Sequence, residues 1–256
     1  MKGMFSQGMR MNMRKVTTGL FGLILGSLQL SQTASAEDVG AIAGEFSVSS
    51  GTATYSIPIQ MPQGVAGMQP EVSLNYSSQG GNGLLGLGWS LGGLTTIHRC
   101  PATIAQDGVR GSVNLDEHDK FCMDGQRLIA VTGAYGDVGT EYRTEIDSFA
   151  KITSVGGTLS AGPNSWEVKT KSGQTIELGN TADSKRLSSD LVKIYWQVNS
   201  IKDAVGNEIT YTYYNQADEH YPTRIDYSGN SIQFEYDPEP RPDIVTTYSN
   251  GVKTVM

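Results

Sequence analysis

The chain has 256 residues, 19 basic against 26 acidic side chains, and a formal charge of −7. Hydrophobic residues make up 38% and charged residues 18%, which excludes a highly charged disordered chain and a multi-span membrane protein. A pI near 5.0 argues against a nucleic-acid partner, because replacing phosphate counterions needs a cationic surface.

Residues 1–36 read as a secretory signal rather than as part of the fold. Lys2, Arg10, Arg14 and Lys15 give a cationic start, Gly19 to Leu30 is an apolar core, and Ala34-Ser35-Ala36 offers small residues for cleavage after Ala36. The apolar core is short of the roughly 20 residues a spanning helix needs. An uncleaved N-terminal anchor is the alternative. The expected product is secreted, with no membrane span after cleavage, and its charge falls to about −11 as four basic residues leave.

The chain holds 31 glycines, well above the usual ~7%, and glycine costs a helix roughly 1 kcal/mol against alanine. Glu37 to Ser50 is a polar lead-in. Thr52 to Gln60 alternates, with Ala53, Tyr55, Ile57 and Ile59 on one face; Pro58 lacks an amide proton and predicts an edge strand or a bulge. Met61 to Pro70 is a loop, and Glu71 to Ser77 alternates again through Val72, Leu74 and Tyr76. Further strand-like runs begin at Arg127, Glu141, Trp166, Gln174 and Ile194, with Gly, Asn, Asp or Pro in nearly every gap. The one helical turn expected lies around Thr181 to Leu191. The fold class is therefore all-β, built of many short antiparallel strands joined by Gly/Asn turns.

An internal repeat follows. Gly206-Asn207-Glu208-Ile209-Thr210-Tyr211-Thr212-Tyr213 matches Gly229-Asn230-Ser231-Ile232-Gln233-Phe234-Glu235-Tyr236 at an offset of 23 residues. Each copy follows an apolar run, so each predicts a β-hairpin with its turn at Gly-Asn. A plain meander with a coincidental Gly-Asn pair is the alternative. Stacked hairpins cover one another's faces and edges, so two copies near Met256 look like an interrupted array.

Candidate chemistry is sparse. In an exported chain the even cysteine count favours a Cys100–Cys122 disulfide, worth about 3 kcal/mol for a loop of this length; two separate buried thiols are the alternative. No CxxC or HxxxH spacing makes these residues, with His98 and His118, a zinc site. Gly81-Asn82-Gly83-Leu84-Leu85-Gly86 fits a dinucleotide fingerprint by letter. The next segment has three more glycines and no helical amphipathicity, so close backbone packing around Leu84, Leu85, Leu87 and Trp89 is expected instead. Leu115-Asp116-Glu117-His118-Asp119 reads as a solvated acidic turn. Glu145 and Asp147 would share a strand face as charged outer residues. His220 reads as a solvated loop residue, and no G-x-S-x-G occurs. No catalytic residue, metal ligand or cofactor is expected.

The stretch from Phe46 through Gly51-Thr52-Ala53-Thr54-Tyr55-Ser56-Ile57-Pro58-Ile59 to Gly80-Gly81-Asn82-Gly83-Leu84-Leu85-Gly86-Leu87-Gly88-Trp89-Ser90-Leu91 resembles the N-terminal domain of SpvB-like and insecticidal toxin-complex (TcaC/TcB-type) proteins. Arg99-Cys100-Pro101, Phe121-Cys122-Met123-Asp124-Gly125-Gln126-Arg127-Leu128 and Glu141-Tyr142-Arg143-Thr144-Glu145-Ile146-Asp147 extend the likeness, and the Gly-Asn hairpins resemble YD (Rhs) repeats. After the signal at 1–36, the resemblance implies an SpvB-like β domain at 37–195 and the truncated start of YD repeats at 196–256. It also implies a β-shell that encloses and helps deliver a C-terminal toxin, with other toxin-complex parts or a longer shell as partners. Some such proteins carry a far C-terminal ADP-ribosyltransferase, which has no counterpart here. The function expected is a non-enzymatic structural module; the alternative is a free-standing secreted protein that pairs through an exposed β edge, with the 12 Tyr and 3 Trp as anchors.

Overall fold

The computed structural model describes residues 44–216, 218–236, 244–249 and 252–255. The signal-like segment 1–36 lies outside the described residues. Among the described residues no helix is long and apolar enough to cross a membrane.

The first six strands are β1 (Glu45–Ser49), β2 (Thr52–Pro58), β3 (Ser73–Ser77), β4 (Asn82–Gly83), β5 (Gly86–Leu87) and β6 (Trp89–Gly92). β1, β2, β3 and β6 form a four-stranded antiparallel sheet in that order, and β4 and β5 make a small hairpin of their own. β2 is an interior strand, not the edge that Pro58 predicted. β1 reaches only as far as Ser56, so Pro58 sits beyond the ladder and its missing amide costs no bond on that side. The polar lead-in also yields a strand, since Phe46 and Val48 alternate with Glu45, Ser47 and Ser49.

The next strands are β7 (Thr96–Cys100), β8 (Lys120–Met123), β9 (Gln126–Thr132), β10 (Glu141–Thr144), β11 (Lys151–Thr158), β12 (Gly162–Lys169), β13 (Thr175–Leu178), β14 (Lys185–Leu187) and β15 (Lys193–Lys202). Consecutive antiparallel pairings run from β7 to β13. β13 then pairs with β15, and β15 with β7, which closes an eight-stranded barrel. β15 is the seam. One of its edges takes β14 and then β13, and the other takes β7 and then β16 (Glu208–Gln216). β16 continues into β17 (Glu219–Tyr227) and β18 (Asn230–Gln233) as a meander on the same sheet. A final hairpin pairs β19 (Thr246–Ser249) with β20 (Val252–Val255).

Both Gly-Asn hairpins form, side by side in this meander. The second turn places Ser228 and Gly229 at φ 46° and 78°, between the paired Tyr227 and Asn230. Two successive positive φ values make the right-twisted two-residue hairpin turn, which is why glycine stands there. The first turn is longer: Asp203 Oδ1 accepts from the amides of Val205 and Asn207.

The barrel holds the core. Trp166 and Trp196 meet edge to face at 5.7 Å, and Phe121 packs against both. Leu128, Tyr142, Ile152, Leu178 and Val198 are fully buried around them. Each such side chain contributes roughly 1.5–3 kcal/mol by burial, and each edge-to-face pair about 0.5–1.5 kcal/mol more. Trp196 Nε1 donates to the Pro163 carbonyl at 3.0 Å.

The helical expectation needs correction. Thr181 to Leu191 is not helical: Thr181 closes on Ser184 Oγ in a tight turn, and β14 follows. The α-helical turn among the described residues is instead α1 (Ile104–Asp107), capped by Thr103 Oγ1 accepting from Gln106 N and ended by Gly108 at φ 70°. A Thr followed three residues later by Gln is a capping-box pattern, so the signal is present but too short to give a periodicity.

Candidate interaction surface and the disulfide-closed strand pair

β7 and β8 lie side by side with Cys100 opposite Lys120 and Cys122 opposite His98. This register brings the two cysteines within reach, and the structure joins them with Cα atoms 5.9 Å apart. Both are buried, and no free cysteine is present. The bridge fastens the loop carrying α1 and the acidic turn to the barrel wall.

That acidic turn is not wholly solvated. Asp119 is buried and pairs with Arg99 Nη1 at 3.0 Å, with both side chains 1% exposed. Arg99 also donates to the carbonyls of Lys193 and Asp116, and Asp119 accepts from Asn114 N. A charge this deep is tolerated only when paired and hydrogen-bonded, and this one is both. Glu117 and His118 do face solvent. Arg127 makes a second partly buried pair with Asp107 of α1 at 2.7 Å and lies over the Tyr135 ring.

The remaining candidates separate. Glu145 and Asp147 do not share a strand face, because β10 ends at Thr144; Glu145 accepts from Gln106 and Asp147 from the Phe149 amide. The glycine-dense stretch has no helix after it. Its backbones do pack closely: a Cβ on Gly88 would stand 2.8 Å from the Ser77 carbonyl and 2.6 Å from the Tyr76 ring. Leu85 and Leu87 point outward, however, at 39% and 70% exposure, so the close packing is against Tyr76 and not around these leucines.

His220 is not a solvated loop residue. It lies on β17, half-buried, with Nδ1 2.9 Å from the Tyr195 hydroxyl and Nε2 2.6 Å from the Asp183 carbonyl. Burial lowers its pKa below the ordinary imidazole value, and Arg186 adds to this while Asp183 opposes it. Burial likewise pushes the Tyr195 phenol up to about 12. The cluster ties the turn before β14 to the meander. His98 is a third, unrelated case, held below its usual value by burial beside Asp124. Among the described residues, no group of three or more His, Cys, Asp or Glu side chains converges as a metal site.

What remains available is surface. The outer barrel wall is charged and self-paired, as in the contacts of Glu141 with Arg143 and Lys151. The four-stranded sheet differs: Phe46 and Val48 on β1 are 69% and 62% exposed. This edge strand is the most open apolar feature of the first sheet, although its sequence reads as a lead-in.

Comparison with known proteins assigns the fold. The chain is 30% identical to the mono(ADP-ribosyl)transferase SpvB of Salmonella choleraesuis strain SC-B67, over 69% of this chain and 31% of that protein. It therefore spans about a third of the length of that relative. The solved N-terminal domain of the effector protein SpvB from Salmonella typhimurium strain LT2 superposes with a TM-score of 0.59 at 20% identity, covering 78% of this chain and 83% of that one. The crystal structure of TcdB2-TccC3 matches with a TM-score of 0.65 at 19% identity, over 84% of this chain and 13% of that one. The Photorhabdus luminescens Tc holotoxin pore matches similarly, with a TM-score of 0.66 at 18% identity and the same coverage. The family described as Salmonella virulence plasmid 65kDa B protein matches residues 47–226, more than half of the sequence, and the chain belongs to this SpvB family.

Proposed function

We propose that this chain is a non-enzymatic structural module of a secreted toxin-complex or Rhs-type virulence protein. It contributes wall to a β-shell that encloses or delivers a toxic cargo. The observation that carries this reading is the continuous sheet: the closed barrel passes through β15 directly into the hairpin meander β16–β17–β18. Such a sheet can be extended by further hairpins, each covering the edge of the last. In this reading residues 37–195 are the SpvB-like unit and the YD-type hairpins begin at 196. Other parts of the complex or of a longer shell are its partners. Large apolar side chains pack the described barrel around Trp166 and Trp196, and its buried arginines Arg99 and Arg127 each pair with an aspartate, as a structural wall requires.

Export through a signal cleaved after Ala36 belongs to the same proposal. N-terminal sequencing of the exported protein is expected to begin at Glu37. An immunoblot of the source against residues 37–256 is expected to show a band well above 27.5 kDa. Incubation of the purified chain with NAD and a lysate is expected to transfer no ADP-ribose. Transfer of label by the purified chain would overturn the non-enzymatic reading. A free-standing secreted protein that pairs through a β edge is the second reading, favoured by the exposure of β1, and a band just below 27.5 kDa would select it.

A further inference from the structure

The four-stranded sheet has two unlike faces. Its register lines up Phe46, Tyr55, Tyr76 and Trp89 in one row across all four strands. Val48 with Ala53, and Ile57 with Leu74 and Leu91, lie two residues to either side and so share that face. The opposite face carries Ser47, Thr54 and Ser77 in one row and Ser56, Asn75 and Ser90 in another. The apolar face meets the core at one end, through Ile59 and Leu91. At the other end it runs out onto β1, where every residue is exposed.

β1 is short and carries one charge, Glu45 at its first position, but it lacks the stronger devices that keep an edge from pairing. It has no proline and no lysine, and its register against β2 is unbroken from Glu45 to Ser49. Among the described residues, nothing pairs with its outer side. A strand that docks there must alternate apolar and small polar residues, so that its apolar side chains extend the aromatic row. It must also keep a carboxylate away from Glu45.

β1 itself meets both demands. Placed antiparallel to a second copy about a two-fold axis through Ser47, it sets Phe46 opposite Val48 and Glu45 opposite Ser49. The two apolar faces then join on one side of the sheet. The two Glu45 residues stand four strand positions apart, roughly 14 Å, beyond the ~8 Å screening length at physiological salt. We propose that β1 is a self-complementary edge through which two copies of this chain pair, Ser47 against Ser47. The proposal goes beyond the shell reading and does not depend on it.

A cysteine scan of the full-length chain tests this register. Directly opposed antiparallel residues have Cα atoms about 4.5–5.5 Å apart, within disulfide range. Under mild oxidation Ser47→Cys is expected to give a covalent dimer. Ser49→Cys, whose copy would lie roughly 14 Å away, is expected to remain a monomer on a non-reducing gel. Adding Val48→Lys to Ser47→Cys puts a cation in the apolar row and is expected to slow cross-linking at least tenfold. Adding Val205→Lys, at an exposed turn far from β1 in sequence, is expected to leave it unchanged. Circular dichroism of each variant checks that the fold is kept. Sedimentation of the wild-type chain is expected to show a mass that doubles with concentration. A wild-type monomer at every concentration, or equal cross-linking by Ser47→Cys and Ser49→Cys, would overturn the proposal. Neither result bears on the NAD or immunoblot tests of the shell reading.

Discussion

The barrel and the four-stranded sheet are written in the same sequence style and end in different physical states. Both alternate apolar and small polar residues, and both are punctuated by glycine. Yet the barrel strands hold Trp166, Trp196, Ile97, Leu128 and Ile152 at no more than 1% exposure, whereas no residue of β1, β2, β3 or β6 is fully buried. Closure makes the difference. A barrel buries its inner face against itself, and a small open sheet buries a face only where another layer covers it. Alternation thus sets which side chains share a face, and the partner layer sets what that face is worth.

This contrast can be tested most sharply with tryptophan. Trp196→Ala is expected to cost about 3–5 kcal/mol in urea unfolding, since it empties the barrel centre and loses the bond to Pro163. Trp89→Ala, on the half-exposed aromatic row, is expected to cost less than half as much. Equal losses would mean that the sheet face is covered in solution. Asp119→Ala should also be severe, about 3–5 kcal/mol, because it leaves Arg99 charged and buried without its carboxylate. Replacing both partners by apolar residues should recover much of that loss.

Smaller effects follow from the seams. Reducing the Cys100–Cys122 bridge is expected to lower stability by about 3 kcal/mol, read as a shift in the unfolding midpoint with and without reductant. His220 predicts a pH dependence. Its folded pKa is lowered by burial from the ordinary imidazole value of 6.5, so the folded state binds the proton less readily than the unfolded chain. Its contribution to stability is full above about pH 6.5 and is lost as the pH falls from there through the folded pKa. Unfolding curves at pH 7.5 and 5.5 should therefore differ more for the wild type than for His220→Gln, whose amide can still donate to Asp183. The smallest effect is expected on the exposed wall: Asp226→Ala removes the 2.6 Å contact to Arg224 on a solvent-facing pair and should leave the midpoint unmoved.

Much of this architecture is legible in the residues alone. Alternation in Thr52 to Gln60, Glu71 to Ser77 and Ile194 to Ile201 marks real strands, and the Gly-Asn repeat marks both hairpin turns. The even cysteine count points to the bridge that forms. The differences share one cause, which is that environment lies far away in sequence. Asp119 reads as solvated because Arg99 is 20 residues upstream, and His220 reads as a loop residue because Tyr195 and Asp183 come from other parts of the chain. Pro58 reads as an edge marker because nothing local to it shows where β1 ends.

Composition, glycine content and two-residue periodicity by themselves determined that this chain is all-β, where most of its turns fall, and which side chains share a strand face. These are local properties, set by backbone sterics and by the alternation of the pleat. Only the tertiary structure decided that eight strands close through β15, that one amphipathic sheet becomes a core while another stays open, and that Asp119 and His220 are held inside. Those outcomes depend on pairings between distant strands, where the free energy of burial belongs to the assembled surface and to no single segment.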